Sequence, residues 1–410
     1  MAKHLPSASI VENVRFNRTV IVPNALQGIF KRRPVPVKVA TAMNVDGDGA
    51  RLLAGLRDKH GGLPVRVRVV KDPALLLLDV ADVRRVLEGS PHPFAPDPEA
   101  KRKGMAHFQP DALTISRGDL WADRRRFAEA VIGASPRERF AAYAEEEMAG
   151  LDAIDFDALH ARFRRLTRRM LFGDAARDDE ELSSELAALM GEANGLPSEP
   201  SDAYPAFAER VEGYVEAGAE GSMAGAATAV AASPDTRAAG QFTHWLFATQ
   251  DTLATNVLRA LALLAAYPEC DDLPGALQEA MRLWPTTPLL SRETLTDLAW
   301  HGATVEAGTQ VLIVNTFFHR DPERLGAAAD RFAPEGWADG GSFAGDWGLN
   351  HFSHGPQGCP GAALAIHVGT AVLAAILRDG GVTFDGKPQV TPGGPLPAML
   401  NPFALRLART

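Results

Sequence analysis

Apolar positions in this chain fall into two periods, and the longer one dominates. Strict alternation marks Val65–Val69, where valines interleave with Arg66 and Arg68 as a half-buried strand requires. Residues 74–79 read as a second, more fully buried strand, and Val80–Glu88 as a helix. Beyond the loop at 91–111 the spacing is mostly helical: a helix opening at Asp119, then residues 137–151, Phe156–Phe172 stopped by Gly173, residues 179–194 and Tyr204–Ala217. The longest run, residues 237–266, is apolar on most faces, as a helix crossing a core must be. Helical spacing returns at 276–282 and over Ala362–Leu377, with strands predicted from Arg292 and over 311–314. Residues 396–403 read as a hairpin turn, and the chain before Leu63 shows one helical candidate at 48–58. The predicted class is mainly α with small β-sheet regions.

Length and charge narrow this picture. No Ser/Gly linker or repeat divides the 410 residues, so one domain over 1–410 is expected, with a small N-terminal β region at about 60–80 and a helical core from about 115 to 410. A net charge of −9 argues against nucleic acid as a global partner. Two cysteines, Cys270 and Cys359, do not make a disulfide framework and suit a reducing cytoplasm. Neither a signal peptide nor a membrane-length apolar run is read, so a cytoplasmic protein without membrane attachment, a monomer, is expected.

The chemistry concentrates at residues 352–361, Phe-Ser-His-Gly-Pro-Gln-Gly-Cys-Pro-Gly, which run straight into Ala362–Leu377. Gly355, Gly358 and Gly361 permit tight backbone, and Pro360 sits where a helix's first turn has no amide bond to lose. Cys359 is thereby offered to free N–H groups and a helix dipole, both favouring the thiolate, a ligand for a soft metal. A small buried cysteine at a helix start is the plainer account of the same residue. The spacing F-x-x-G-x-x-x-C-x-G resembles the haem-binding loop of the cytochromes P450.

Three further runs resemble motifs of that family, in its order. Trp121 and Arg125 stand one turn apart and match W-x-x-x-R, whose residues bind a haem propionate, while Arg124 and Arg126 would point elsewhere, toward the proximal surface. In the long helix, 248–252 (Ala-Thr-Gln-Asp-Thr) resembles the oxygen-activation motif, which implies proton relay by Asp251 and Thr252 with Ala248 against the cofactor. Polar groups bonded back to their own backbone are the structural alternative there. Thr249 departs from the usual glycine. Glu279 and Arg282 match E-x-x-R, a buried pair that braces the cysteine loop through a further basic residue, Arg320 or else Arg331; by itself the spacing also describes an exposed ion pair. Arg292 would meet the other propionate, and Gln357 stands where the family often has a basic residue.

The resemblance implies a P450 fold, haem b (iron protoporphyrin IX) on the Cys359 thiolate beside Phe352 and Gly361, and dioxygen as co-substrate. It implies a monooxygenase drawing electrons from NAD(P)H through a ferredoxin reductase and a ferredoxin. Trp245, Thr249, Thr287, Leu289, Met399 and Leu400 would line a largely apolar pocket with few charges, suited to a hydrophobic secondary metabolite such as a terpenoid, polyketide or aromatic compound. His107 would be a solvated loop residue or touch a propionate, and residues 197–205 would form a lid. Oxidative coupling or desaturation is the neighbouring reaction. A non-catalytic haem sensor or carrier is the reading from another class.

Overall fold

The computed structural model describes residues 4–197 and 199–410. Ser198, within the segment read as a lid, lies outside the described residues. Among the described residues two large buried apolar clusters fill the interior, one helical and one around a sheet, with a third small one at Ala333, Phe343 and Leu349.

The sheet is assembled from distant parts of the chain. Its order is Val65–Val69, Asp72–Leu76, Gln310–Val314, Leu289–Thr294 and Phe94–Ala95, antiparallel throughout except where Asp72–Leu76 runs parallel to Gln310–Val314. The β region predicted near the N-terminus is therefore completed by strands more than 200 residues later, because Leu75, Leu76 and the 311–314 run are buried on both faces and need partners. Val80–Glu88 comes at once after it, with the Asp79 carboxylate accepting from Ala81 N–H as its cap.

Three sequence expectations are corrected. The chain before Leu63 is helical, with Ile10–Phe16, Val22–Gln27, Pro34–Ala42 and Val45–His60. The span read as loop, 91–111, holds Phe94–Ala95 and the helix Glu99–Ala106, drawn into order by buried Asp97, which accepts from Arg102 and Arg117. Residues 396–403 form no tight hairpin; they belong to the long connection between Val382–Phe384 and Arg406–Arg409, which pair antiparallel.

The helical cluster is built on Phe156–Phe172 and on the long helix. That helix is interrupted: Ala238–Phe247 and Ala254–Ala266 are α-helical, and Ala248–Leu253 between them is a π-turn. The widening falls on the polar run 248–252, and such turns commonly carry functional side chains. Residues 267–272 join Ala254–Ala266 directly to Leu273–Leu283. Among the described residues no helix is long and apolar enough to cross a membrane.

Candidate active site

The cysteine loop is a stack of tight turns: Ser353 N–H donates to Asn350 O at 2.7 Å, Gly358 N–H to Gly355 O at 2.9 Å and Cys359 N–H to Phe352 O at 2.8 Å. Gly355 has φ +68°, and a Cβ there would come within 2.4 Å of Leu87 O. The loop thus presses on the end of Val80–Glu88 at a point only glycine fits. Cys359 is exposed, but the protein around it desolvates the sulfur and raises its pKa; the Gly361 N–H and Arg125 pull the other way and do not offset this. The thiolate preference inferred from loop and dipole therefore does not hold for the free side chain.

Behind the loop, Glu279 and Arg282 are both fully buried. Arg282 Nε and Nη2 donate to the Glu279 carboxylate at 2.6 and 2.8 Å, and Ala333 N–H and Trp337 Nε1–H donate to it at 2.8 and 2.9 Å. Four donors satisfy the acid, so no second cation is needed. Arg320, expected as that cation, instead pairs with Asp330 and donates to the carbonyls of Leu396 and Pro397, and Arg331 contributes only its carbonyl, to Arg282. The link from this pair to the loop is His319, which sequence reasoning did not assign. Its Nε2 accepts from Asn350 N–H at 3.1 Å and its Nδ1 contacts Arg282 O at 3.2 Å, so the proton sits on Nδ1 and the ring is neutral. Burial drives its pKa well below the usual histidine value.

On the cleft side, Arg125 reaches the loop itself, donating to Gly358 O at 2.5 Å and to Glu129 at 2.7 Å. Arg124, expected at the proximal surface, is buried between Asp111 and Ser116 because its side chain points into the helix packing; Arg126 is exposed. Among the described residues Trp121 Nε1 and Gln357 Nε2, both buried donors, have no acceptor. Arg292 is buried with only Ser90 Oγ, Ser291 O and Ser353 Oγ around it, and burial lowers its pKa to about 10. Lys101 lies close enough to feel Arg292 and is lowered to about 7, by burial first and that charge second. A thiol flanked by buried donors that lack anions fits haem, whose propionates would meet Trp121, Arg292 and Gln357. His107 takes no part: it bonds Glu192 at 3.0 Å and Glu199 O at 2.9 Å, and is buried.

The π-turn turns Asp251 and Thr252 together into a cavity of about 520 Å³. Asp251 Oδ1 stands 3.4 Å from Nδ1 of His160, a buried residue stacked on Phe156 that no motif announced. Thr287, Met399 and Leu400 line the cavity. Trp245 does not; it is stacked on Phe127 and packed against Phe242 in the core. Leu289 opens a strand against the sheet cluster, and Thr249 lies on the π-turn outside the lining. The expectation of few charges is also corrected: Arg32, Asp46, Arg164 and Arg259 join Asp251 in the wall, brought there by segments the sequence did not connect.

Comparison with known proteins agrees with this geometry. The family model "Cytochrome P450" matches residues 273–398. Cytochrome P450 714C3 of Oryza sativa subsp. japonica is 33% identical over 130 residues, 31% of this chain and 24% of that protein. Cytochrome P450 4c3 of Drosophila melanogaster is 33% identical over 116 residues, 27% and 20% of the two chains. The chain thus spans about a quarter of the length of these curated relatives. Among solved structures, retinoic acid bound cyanobacterial CYP120A1 superposes with TM-score 0.67 at 16% identity, covering 87% of this chain and 93% of that one. The cytochrome P450 CYP102L1 gives 0.69 at 16%, covering 88% and 94%. Fold and donor set together suit a haem held by a cysteine. Residues 273–398 thus carry a likeness to the cytochrome P450 family, and the chain as a whole shares the fold of the cytochrome P450 structures; haem with a thiolate ligand is the cofactor that this likeness implies.

Proposed function

We propose that the protein is a monooxygenase that uses dioxygen and electrons from a ferredoxin-type donor and its reductase to hydroxylate a small hydrophobic molecule, such as a secondary metabolite, in the cytoplasm. The observation that carries the reading is the π-turn, which brings an acid and an alcohol to the wall of one cavity on the helix that packs over the Cys359 helix, with Leu253 and Val257 against Gly369. Bound haem supplies the redox centre at which oxygen is activated. Cys359 holds it, and Trp121, Arg292 and Gln357 anchor its carboxylates. Thr252 Oγ1 is placed to hold a proton at the reacting position, and Asp251, side chain 29% exposed, to replace that proton from water in the cavity. Phe247 and Trp284 give the wall its apolar part and limit water there. Exposed Arg126, next to the Arg125 that reaches the cysteine loop, and exposed Arg137, on the helix packed against Ala362–Leu377, suit a small acidic electron donor.

The test is the spectrum of the reduced protein under carbon monoxide, followed by turnover of Thr252→Ala. A strongly red-shifted Soret band that is lost in Cys359→Ser, with electron consumption in Thr252→Ala that no longer yields product, supports the reading. A haem protein whose Thr252→Ala variant keeps full coupling, or that binds ligands without turnover, removes it in favour of a sensor or carrier.

A further inference from the structure

Buried arginines in this protein generally meet an acid: Arg168 has Glu180, Arg169 has Glu147 and Arg282 has Glu279. Two half-buried ones in the cavity wall do not. Arg32 donates only to Thr286 O at 3.3 Å, and its Nη1 is buried without a partner. Arg259 donates to Trp284 O at 2.7 Å and Leu400 O at 3.3 Å, and its Nε is unpartnered. Among the described residues neither guanidinium has a carboxylate within ion-pair distance. Their anchoring carbonyls, on Trp284 and Thr286, lie two residues apart on one turn, which brings the two cations to the same end of the cavity. Both are desolvated: burial lowers Arg259 to about 9, with Arg32 adding to the fall, and lowers Arg32 as well. Asp46, the acid of this cluster, is raised by burial to about 6 and forms no ion pair with either. At neutral pH the cluster therefore keeps one positive charge in excess. A desolvated guanidinium fork without an acid is costly unless an anion arrives, and its geometry matches a carboxylate.

We propose that this end of the cavity is a subsite for a substrate carboxylate, held by Arg32 and Arg259. The proposal rests on the oxygenase reading for the identity of the cavity's other end and adds the substrate class: an amphiphilic monoanion. Arg259 lies on the same face of the helix as Thr252, about two turns or roughly 10 Å further along. An acid seated there presents a carbon well removed from its carboxylate to Thr252 and Asp251. Half-buried Arg164, which also lines the cavity and has no paired acid among the described residues, adds to the attraction. The two arginines are positioning and specificity residues.

The experiment is calorimetric titration of the haem-loaded protein with decanoate and with 1-decanol, probes of equal chain length that differ in charge. Decanoate is expected to bind at least tenfold more tightly. Arg259→Gln and Arg32→Gln should each remove most of that preference and leave 1-decanol unchanged, while Arg259→Lys retains part of it. Arg32→Gln gives up a single long hydrogen bond, so it serves if Arg259→Gln fails to fold. Equal binding of the probes, binding of neither, or an equal loss for both in the variants overturns the subsite and leaves the oxygenase reading standing. A protein that lacks the red-shifted Soret band yet selects decanoate upholds the subsite while the oxygenase reading falls.

Discussion

His319 ties the Glu279–Arg282 pair to the cysteine loop as a neutral ring, and this makes the protein sensitive to mild acid in a calculable way. The folded state holds the ring buried and unprotonated; the unfolded chain binds a proton near the ordinary histidine pKa of about 6.5. Because the folded pKa is the lower of the two, this contribution is fully present above 6.5 and is lost as pH falls toward the folded value. At about 1.4 kcal/mol per pH unit, going from pH 6.5 to 5 removes about 2 kcal/mol. His319→Asn takes the acceptor from Asn350 N–H, costing about 1–3 kcal/mol at pH 7, and also deletes the titrating ring. Urea unfolding of both proteins at pH 7 and pH 5 isolates the effect, since all other groups are common to the two. The variant should start less stable and lose about 2 kcal/mol less than the parent on acidification. An identical loss in both would show that His319 does not stay neutral in the fold and is no strut between the ion pair and the loop.

Two further substitutions probe the same region. Gly355→Ala combines a positive φ with a Cβ driven to 2.4 Å from Leu87 O, so retention of haem, read as the ratio of Soret to protein absorbance, should drop severalfold; Gly386→Ala, with φ +102° and nothing within 4 Å of its Cβ, should lose only the backbone cost of about 1–2 kcal/mol, seen in the melting midpoint. Arg292→Gln removes a buried cation that has no acid beside it, so the haem-free protein should melt no lower than the parent while haem affinity falls about tenfold; a large loss of stability without haem would mean that Arg292 is a structural residue.

Much of the architecture was legible because local chemistry dictated it. Val65–Val69 alternates and is a strand, Phe156–Phe172 ends at a glycine of φ +84° and is a helix, and the cysteine loop carries glycines where the backbone has no other choice. Order and spacing also singled out Cys359, Trp121, Glu279 and the acid-alcohol pair as candidates. Other features depend on segments meeting in space. Whether Glu279 takes Arg320 or an indole depends on which side chain the packing delivers: Arg320 was drawn to the carbonyls of residues 396 and 397, and Trp337 arrived instead. The sheet needed strands from distant parts of the chain, and the π-turn is an interruption that helical periodicity does not register. The charged cavity was the least legible feature of all, since Arg32, Asp46, His160 and Arg259 sit in four unconnected stretches and none belongs to a motif. Sequence by itself determined which residues have special chemistry, because that is written in residue type and spacing. Only the tertiary structure decided which of them face one another and how deeply, because burial and the meeting of distant charges are properties of the packed chain.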